Sequence, residues 1–387
     1  MRNLVDDFHA DPSGADDAAS AFQAAVDALC GEGGGTLVIP RGHFRVHSQG
    51  IRIPDSGNLT IEAYGAHIFR SDDSTVETLM GGGYTATGYG GPSNMTIRGG
   101  RWDGGAKNSG SLDMFALCSG ENIRYEDLTV ENIPNWHPIE FQGVRNGTAR
   151  NCVFRGFRAV DPARFFSEAI QIQEAKDGTH SVDIVVDGCS ADGYGALVGT
   201  HGATVAGKFH DGVRVVNNRI TNSKNYGIRA ENWRNAVIAN NLLQDCNSGI
   251  MVQLIKNASN PSWWWSQTEN IVIANNIMSH MGLANQPGEG PRYATIGVYG
   301  QTDKPIENVI VTGNIIRDWA SENGIALQNV HEGIVTGNVV KYSEGGDGTA
   351  IVFVNCSGGT AVGNNIRYAG AGITGAEVST GNRIALP

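Results

Sequence analysis

Val309-Ile310-Val311-Thr312-Gly313-Asn314-Ile315 places apolar residues at alternate positions, then a Gly-Asn turn, then a further apolar residue. The phrase recurs as Val213-Arg214-Val215-Val216-Asn217-Asn218-Arg219-Ile220, as Val237-Ile238-Ala239-Asn240-Asn241 and as Ile271-Val272-Ile273-Ala274-Asn275-Asn276-Ile277. It returns as Ile334-Val335-Thr336-Gly337-Asn338 and Val362-Gly363-Asn364-Asn365-Ile366, with weaker copies at 184–189 and 123–128. Aligned, the copies share one register position at 189, 218, 241, 276, 314, 338 and 365, spaced by 29, 23, 35, 38, 24 and 27 residues. Alternation with period two makes each copy a strand rather than a helix. A basic repeat of 23–24 residues interrupted by insertions means stacked coils. Asn at a fixed place suits a turn with left-handed dihedrals and can ladder with its copies above and below. One coil cannot bury its apolar face alone, so stacking creates a shared core. The repeats therefore predict an all-β chain: a single-stranded right-handed parallel β-helix of roughly ten coils, residues 46–387, behind an N-terminal cap and leading strand, residues 1–45.

Composition agrees. Fifty-three glycines in 387 residues show no three-residue period, which excludes collagen, and the moderate charge excludes a disordered chain. No apolar run has the length of a membrane-spanning helix. Lys+Arg 28 against Asp+Glu 39 gives a net charge of −11, which argues against a nucleic-acid partner and leaves an anionic polymer reachable only through a local basic patch. Six scattered Cys with no CxxC pair make neither a disulfide scaffold nor a Cys-rich zinc site. No metal and no cofactor is expected. The charged stretch Met1–Phe8 is no secretory signal, so the chain is expected either to stay in the cell or to leave by lysis or assembly, with an extracellular or virion-surface location favoured.

A second strand recurs in each coil: Pro138–Gln142, Ala169–Gln173, Gly227–Glu231, Gly249–Gln253, Ile296–Tyr299, Gly324–Gln328 and Ala350–Phe353. Its apolar members point inward, and Glu140, Gln142, Gln171, Gln173, Arg229, Glu231, Met251, Gln253, Tyr299 and Gln328 point out. Insertions at about 155–167, 174–182, 199–211, 256–269, 281–294 and 300–307 fall on both sides of this strand. Loops rising on both edges of one sheet wall a groove, and binding residues concentrate on such loops. At the N-terminus, Phe22, Ala25, Val26 and Leu29 have helical spacing between Asp16 and Cys30, followed by Gly31-Glu32-Gly33-Gly34-Gly35 and the strand Thr36–Ile39. That helix is expected to cover the open end of the solenoid, which would otherwise be an exposed sheet edge.

The stretch Phe8-His9-Ala10-Asp11-Pro12-Ser13-Gly14-Ala15-Asp16-Asp17, then Phe22-Gln23-Ala24-Ala25, then Gly33-Gly34-Gly35-Thr36-Leu37-Val38-Ile39-Pro40-Arg41-Gly42, resembles the N-terminal module of the pectate lyase-like superfamily, shared by polygalacturonase-related enzymes and phage tailspike depolymerases. The resemblance covers about the first 45 residues and implies a β-helix acting on polysaccharide. The Asn-Thr-Asp, Asp-Asp, Gly-His-Gly and Arg-Ile-Lys motifs of polygalacturonases do not occur, nor does the Arg-x-Pro-x-x-Arg of classical pectate lyases. Ser167–Gln173 is similar to a depolymerase coil whose last residue is often Asp, here Gln173. Phage β-helix spikes are commonly trimers, which implies a homo-oligomer, a trimer first.

Glycoside hydrolysis needs two carboxyls about 5–10 Å apart. Neighbouring coils lie about 4.8 Å apart, so Glu140, Glu168, Glu174 and Glu231, on or beside the groove strand, are candidates. Glu168 shares the inward register of Ile170 and needs a kink at the strand start to turn outward. His137, His180, His201 and His210 gather in the same coils; His201 and His210 are candidate acid–base residues. Arg229 and Lys208 could neutralise a uronic carboxylate, or Arg229 could simply pair with Glu231. Three consecutive residues, Trp263, Trp264 and Trp265, cannot all be buried in a thin solenoid; they make a sugar subsite, a subunit interface or a local fold-back, and Trp136 and Trp233 could extend a stacking platform. Gln171, Gln173, Gln253 and Tyr299 complete the candidate substrate contacts. The favoured function is a glycoside hydrolase cleaving within a glycan; the alternatives are a polysaccharide lyase acting by β-elimination, a non-catalytic glycan-binding spike or adhesin, and a sugar epimerase or fructosyl transferase.

Overall fold

A computed structural model describes residues 1–200, 209–255, 268–282, 293–342, 348–367 and 369–385. The chain divides into two compact units, Met1–Tyr194 and Gly195–Pro387. Within each unit the strands form three parallel sheets, and successive strands of one coil go to the first, second and third sheet in turn.

In the N-terminal unit the third sheet consists of Ile51–Arg52, Thr78–Gly82, Asp113–Cys118, Ile139–Gln142 and Glu168–Gln173. Its inward rows stack Phe115 on Ile139 on Ile170, and Leu117 on Phe141 on Ile172. All six are fully buried. In the C-terminal unit the third sheet includes Tyr226–Glu231, Ser248–Gln253, Ala294–Tyr299, Asn323–Gln328 and Thr349–Val354. There Ile228, Ile250, Ile296, Ile325 and Ile351 stack in one row. The outward partners of that row are Arg229, Met251, Gly297, Ala326 and Val352. The seven third-sheet strands expected between residues 138 and 353 are present; Ala196–Thr200, Ala371–Thr374 and the three strands before residue 138 emerge only from the pairing.

The turn after the first sheet explains the repeat phrase. The residue before each ladder position has a left-handed backbone: Asn217, Asn240, Asn275, Gly313, Gly337, Gly363 and Gly381 all have φ between 56° and 65°. Gly, Asn and Asp adopt this conformation at the lowest cost. The next residue is the ladder member. In the C-terminal unit these are Asn218, Asn241, Asn276, Asn314, Asn338, Asn364 and Asn382, linked amide to amide at 2.9–3.0 Å. The sixth member is thus Asn364 rather than Asn365, which begins a second-sheet strand. In the N-terminal unit the matching turn carries Leu128, Cys152 and Cys189, all buried. A second, exposed ladder, not expected from the sequence, links Asn58, Asn94, Asn122 and Asn146, each with positive φ.

The cap helix runs Ala19–Gly31 and buries Phe22, Ala25, Val26 and Leu29, as their spacing predicts. It begins three residues later than expected, so Asp16 and Asp17 are outside its first turn. Asp17 instead accepts from the Ala19, His47 and Ser48 N–H groups at 3.0–3.1 Å, tying the helix start to the next coil. No helix among the described residues is long and apolar enough to cross a membrane.

Candidate functional site

The outer face of the third sheet is built by register. In the N-terminal unit one lateral row holds Arg52, Gly81, Ala116, Glu140 and Gln171. Two residues further along each strand, Cys118, Gln142 and Gln173 form a second row. Segments 156–167 and 174–181 leave the sheet at its two edges, as the insertions predict. The first carries a short turn, Pro162–Arg164, whose Asp161 side chain accepts from the Ala163 N–H at 2.9 Å.

Glu140 is 8% exposed and its Oε1 accepts from Gln173 Nε2, so two expected outward residues from adjacent coils meet. Gln142 Oε1 accepts from the Cys118 thiol at 2.9 Å. Asp113, at the start of its strand, accepts the His137 backbone N–H at 3.2 Å. Burial first, then the negative charge of Glu140, pushes the Asp113 carboxyl well above the usual carboxylate range. The same burial and the charges of Glu140 and Asp113 push the Cys118 thiol up. Asp113 escaped the sequence reading because nothing in the repeat phrase marks the first residue of that strand.

Glu168 is 0% exposed, and no kink turns it outward. Its carboxylate lies 3.6 Å from His137 Nδ1, and its carbonyl oxygen 2.9 Å from the same nitrogen. A carbonyl only accepts, so Nδ1 carries the hydrogen. The expectation of Glu168 on a solvent-facing groove is thus corrected to a buried partner of His137. Glu174 is 8% exposed and Trp136 half-buried at the edges of the same sheet.

In the C-terminal unit Arg229 Nε lies 3.9 Å from Glu231 Oε1. The pair supports the structural alternative weighed from the sequence, and it stands on the outer face with Gln253 and Tyr299 in the Glu231 row. Tyr299 lies flat over Gly297: a Cβ on that glycine would meet the phenol at 2.1–2.4 Å. Two other expectations are corrected here. Trp233 is fully buried with Nε1 donating to Thr200 Oγ1 at 2.7 Å, so it offers no platform. His210 pairs with Trp233 in the first sheet and is 1% exposed, away from the groove face. His201, Lys208 and Trp263, Trp264 and Trp265 lie outside the described residues. Among the described residues no cluster of three His, Cys, Asp or Glu is placed to hold a metal ion.

No protein-family model matches the chain. By sequence it is similar to mannuronan C5-epimerases of Azotobacter vinelandii: it is 32% identical to AlgE3 over 141 residues, which make up 33% of this chain and 7% of AlgE3. It is equally identical to AlgE5 over 141 residues and 14% of that protein, so the match spans a small part of either relative. Among solved structures it is similar to PfbA, a surface adhesin of Streptococcus pneumoniae, with a TM-score of 0.72, 18% identity and coverage of 99% of this chain and 93% of that one. An exopolygalacturonase from Thermotoga maritima gives a TM-score of 0.64, 14% identity and coverage of 100% and 92%. The tailspike of E. coli bacteriophage HK620 gives 0.63, 16% identity and coverage of 99% and 66%. Identities this low speak to fold alone, and on that ground the chain is a right-handed parallel β-helix protein, built on a scaffold shared with polysaccharide-acting enzymes.

Proposed function

We propose that this chain is a polysaccharide-degrading enzyme, a glycoside hydrolase that cleaves within a glycan lying against the outer face of the third sheet. The observation that carries the reading is the carboxyl pair of the N-terminal unit. Asp113 is driven towards its protonated form by burial and by the charge of Glu140. Hydrolysis requires one carboxyl that donates a proton and one that is ionised. A carboxyl kept protonated by burial beside a second carboxyl suits the role of the acid. Asp113 is then the acid that protonates the leaving oxygen, and Glu140, held by the Gln173 amide, is the base or nucleophile. Gln171 and Gln142 offer hydrogen bonds to sugar hydroxyls. The His137 backbone N–H holds the Asp113 carboxyl, and the His137 ring is fixed by Glu168 behind it. In the C-terminal unit, Arg229, Glu231, Gln253 and Tyr299 offer polar groups of the same kind on the outer face of the third sheet.

The partial match to mannuronan C5-epimerases favours a second reading, epimerisation at a sugar carbon next to a carboxylate, with elimination as its close chemical relative. Both require removal of a carbon-bound proton and a cation facing the sugar's carboxylate, a role open to Arg229. One experiment separates the readings. Neutral and acidic polysaccharides are incubated with the protein and followed for new reducing ends, for absorbance of an unsaturated product, and for carbon-5 configuration by NMR. New reducing ends without unsaturation support hydrolysis. Inverted configuration at constant chain length overturns it in favour of epimerisation, and binding without turnover favours an adhesin.

We also infer a homotrimer working outside the cell or on a virion. Ile310 and Ile334 are outward neighbours in the C-terminal unit at 38% and 39% exposure, an apolar strip suited to self-association. Light scattering at micromolar concentration should return three times the chain mass; a monomer would overturn the assembly.

A further inference from the structure

The Arg52–Gly81–Ala116–Glu140 row has an uneven floor. Its two middle members have almost no side chain, and Gly82 and Gly83 follow Gly81 directly. An open cleft of about 490 Å³ lies over the Arg52–Gly81 end of this row, with Arg52, Asp55, Thr78, Tyr84 and Gly81 to Gly83 in its lining. The glycines are required. A Cβ on Gly81 would come within 2.6 Å of Tyr84 Oη, and Gly83 has φ +77° with its Cβ position 1.9 Å from the Cys118 carbonyl oxygen. Tyr84 therefore lies across Gly81 with its hydroxyl directed to Thr78 Oγ1 at 3.4 Å, and burial raises the pKa of that hydroxyl. The rest of the side chain leaves Tyr84 48% exposed.

Arg52 closes the cleft. Its backbone is clamped on both sides by one residue of the cap helix: Gln23 Oε1 accepts the Arg52 N–H at 2.8 Å, and Gln23 Nε2 donates to the Arg52 carbonyl at 3.0 Å. Its guanidinium enters no ion pair among the described residues. Arg52 is the only Lys or Arg on the outer face of the N-terminal unit's third sheet, because the other outward positions of the two rows are Gly, Ala, Cys, Glu and Gln.

We propose that this cleft is a subsite for an acidic sugar unit of the glycan, remote from the point of cleavage. Tyr84 presents an aromatic surface to the ring, and Arg52 receives its anionic group. The chemistry is that of a planar donor fork meeting a carboxylate or sulfate. Three inter-strand steps of about 4.8 Å separate the Arg52 and Glu140 positions, about 14 Å in all. A short oligosaccharide spans that distance, so Arg52 selects chains that are acidic several units away from the bond that reacts. Glu140 by itself repels such a chain, and a fixed cation at the far end of a small-residue trough offsets that repulsion. The proposal rests on the groove reading above and adds the substrate class and its orientation: acidic units over the N-terminal coils.

The test is calorimetric binding of three hexasaccharides, one of uronic acid, one sulfated and one neutral, to the full chain and to Arg52→Gln, Tyr84→Ala and Glu140→Gln. Arg52→Gln should weaken the acidic hexamer that the parent binds by at least tenfold at low salt, while the neutral hexamer changes by less than twofold. Tyr84→Ala should weaken both. The acidic hexamer that binds identifies carboxylate or sulfate as the group received. Equal affinity of the parent and Arg52→Gln for every acidic hexamer overturns the subsite, as does preference of the parent for the neutral one. The reaction is read separately: if Glu140→Gln retains full turnover while Arg52→Gln loses acidic binding, the carboxyl-pair reading falls and the subsite stands.

Discussion

Asn276 donates both its backbone N–H, at 3.0 Å, and its side-chain amide, at 2.9 Å, to the single Oδ1 of Asn314. Its own Oδ1 receives the same two donors from Asn241 at 3.0 and 2.9 Å, and its second amide hydrogen goes to the Ile238 carbonyl at 3.0 Å. Every hydrogen-bonding atom of a buried amide is thus satisfied by the coils on either side. Replacing Asn276 by Ala strands the two Asn241 donors and the Ile238 carbonyl, while Asn314 Oδ1 keeps the backbone N–H of residue 276. Each orphan costs about 1–3 kcal/mol. Asn276→Ala should therefore lower unfolding free energy by at least ~2 kcal/mol in a urea titration, and Asn365→Ala, outside the ladder, by much less.

Asp113→Asn and Glu140→Gln should each reduce turnover at least ~100-fold, the scale of general acid–base contributions. The pH profile follows from the direction of the Asp113 shift. Activity should persist while Asp113 keeps its proton and fall as pH rises through its elevated value. Stability should move the same way: a folded carboxyl with a raised pKa loses stability as pH climbs from about 4, the unfolded value, through the folded one. Asp113→Asn should remove that loss. Unchanged rates across the series would return suspicion to Glu174 and Glu231.

Asp103 has the opposite sign. Burial opposes its ionisation, but hydrogen bonds from His67, Asn132 and the Gly105 N–H outweigh burial and hold the carboxyl at about 2. The stabilisation it supplies is present above about pH 4 and is lost as pH falls towards 2, at about 1.4 kcal/mol per pKa step. Asp103→Asn should cost about 2 kcal/mol at pH 7 and little at pH 2, measured by denaturant unfolding at both pH values.

Arg70 is 1% exposed and pairs with carbonyls rather than a carboxylate. It donates to Gly104, Val76, Ser111 and Gly110 at 2.8–3.1 Å. Burial and then the charge of Arg158 lower its pKa to about 10. Lys cannot reproduce that planar fork. Arg70→Lys should release the segments 71–77 and 104–112, seen as faster proteolysis there and a lower denaturation midpoint.

Replacing Trp263, Trp264 and Trp265 together by Ala should weaken glycan binding by roughly 1 kcal/mol per lost ring face and leave the melting temperature nearly unchanged. Loss of the oligomer with unchanged glycan affinity would make the loop an interface, and unfolding would make it core.

The coils, the inward rows, the cap helix and the polarity of the groove face were legible in the sequence, because alternation and turn chemistry are local and repeat wherever the chain makes the same turn. Glu140, Gln171, Gln173, Arg229 and Glu231 were placed correctly on the outer face by parity alone. Parity also warned that Glu168 shares the register of Ile170, and its burial beside His137 follows from that. What tertiary structure alone decided depends on neighbours some 23 to 40 residues away. Trp233 and His210 look like groove residues by position but turn into the core at the start of a first-sheet strand. Asp113 and Arg52 begin or end strands that carry no repeat phrase, so only the stacking of coils brings Arg52 into the row of Glu140 and Asp113 within reach of its charge. The ionisation of Asp113 is likewise set by burial and by a charge on the next coil, and neither is written in the residues adjacent to it.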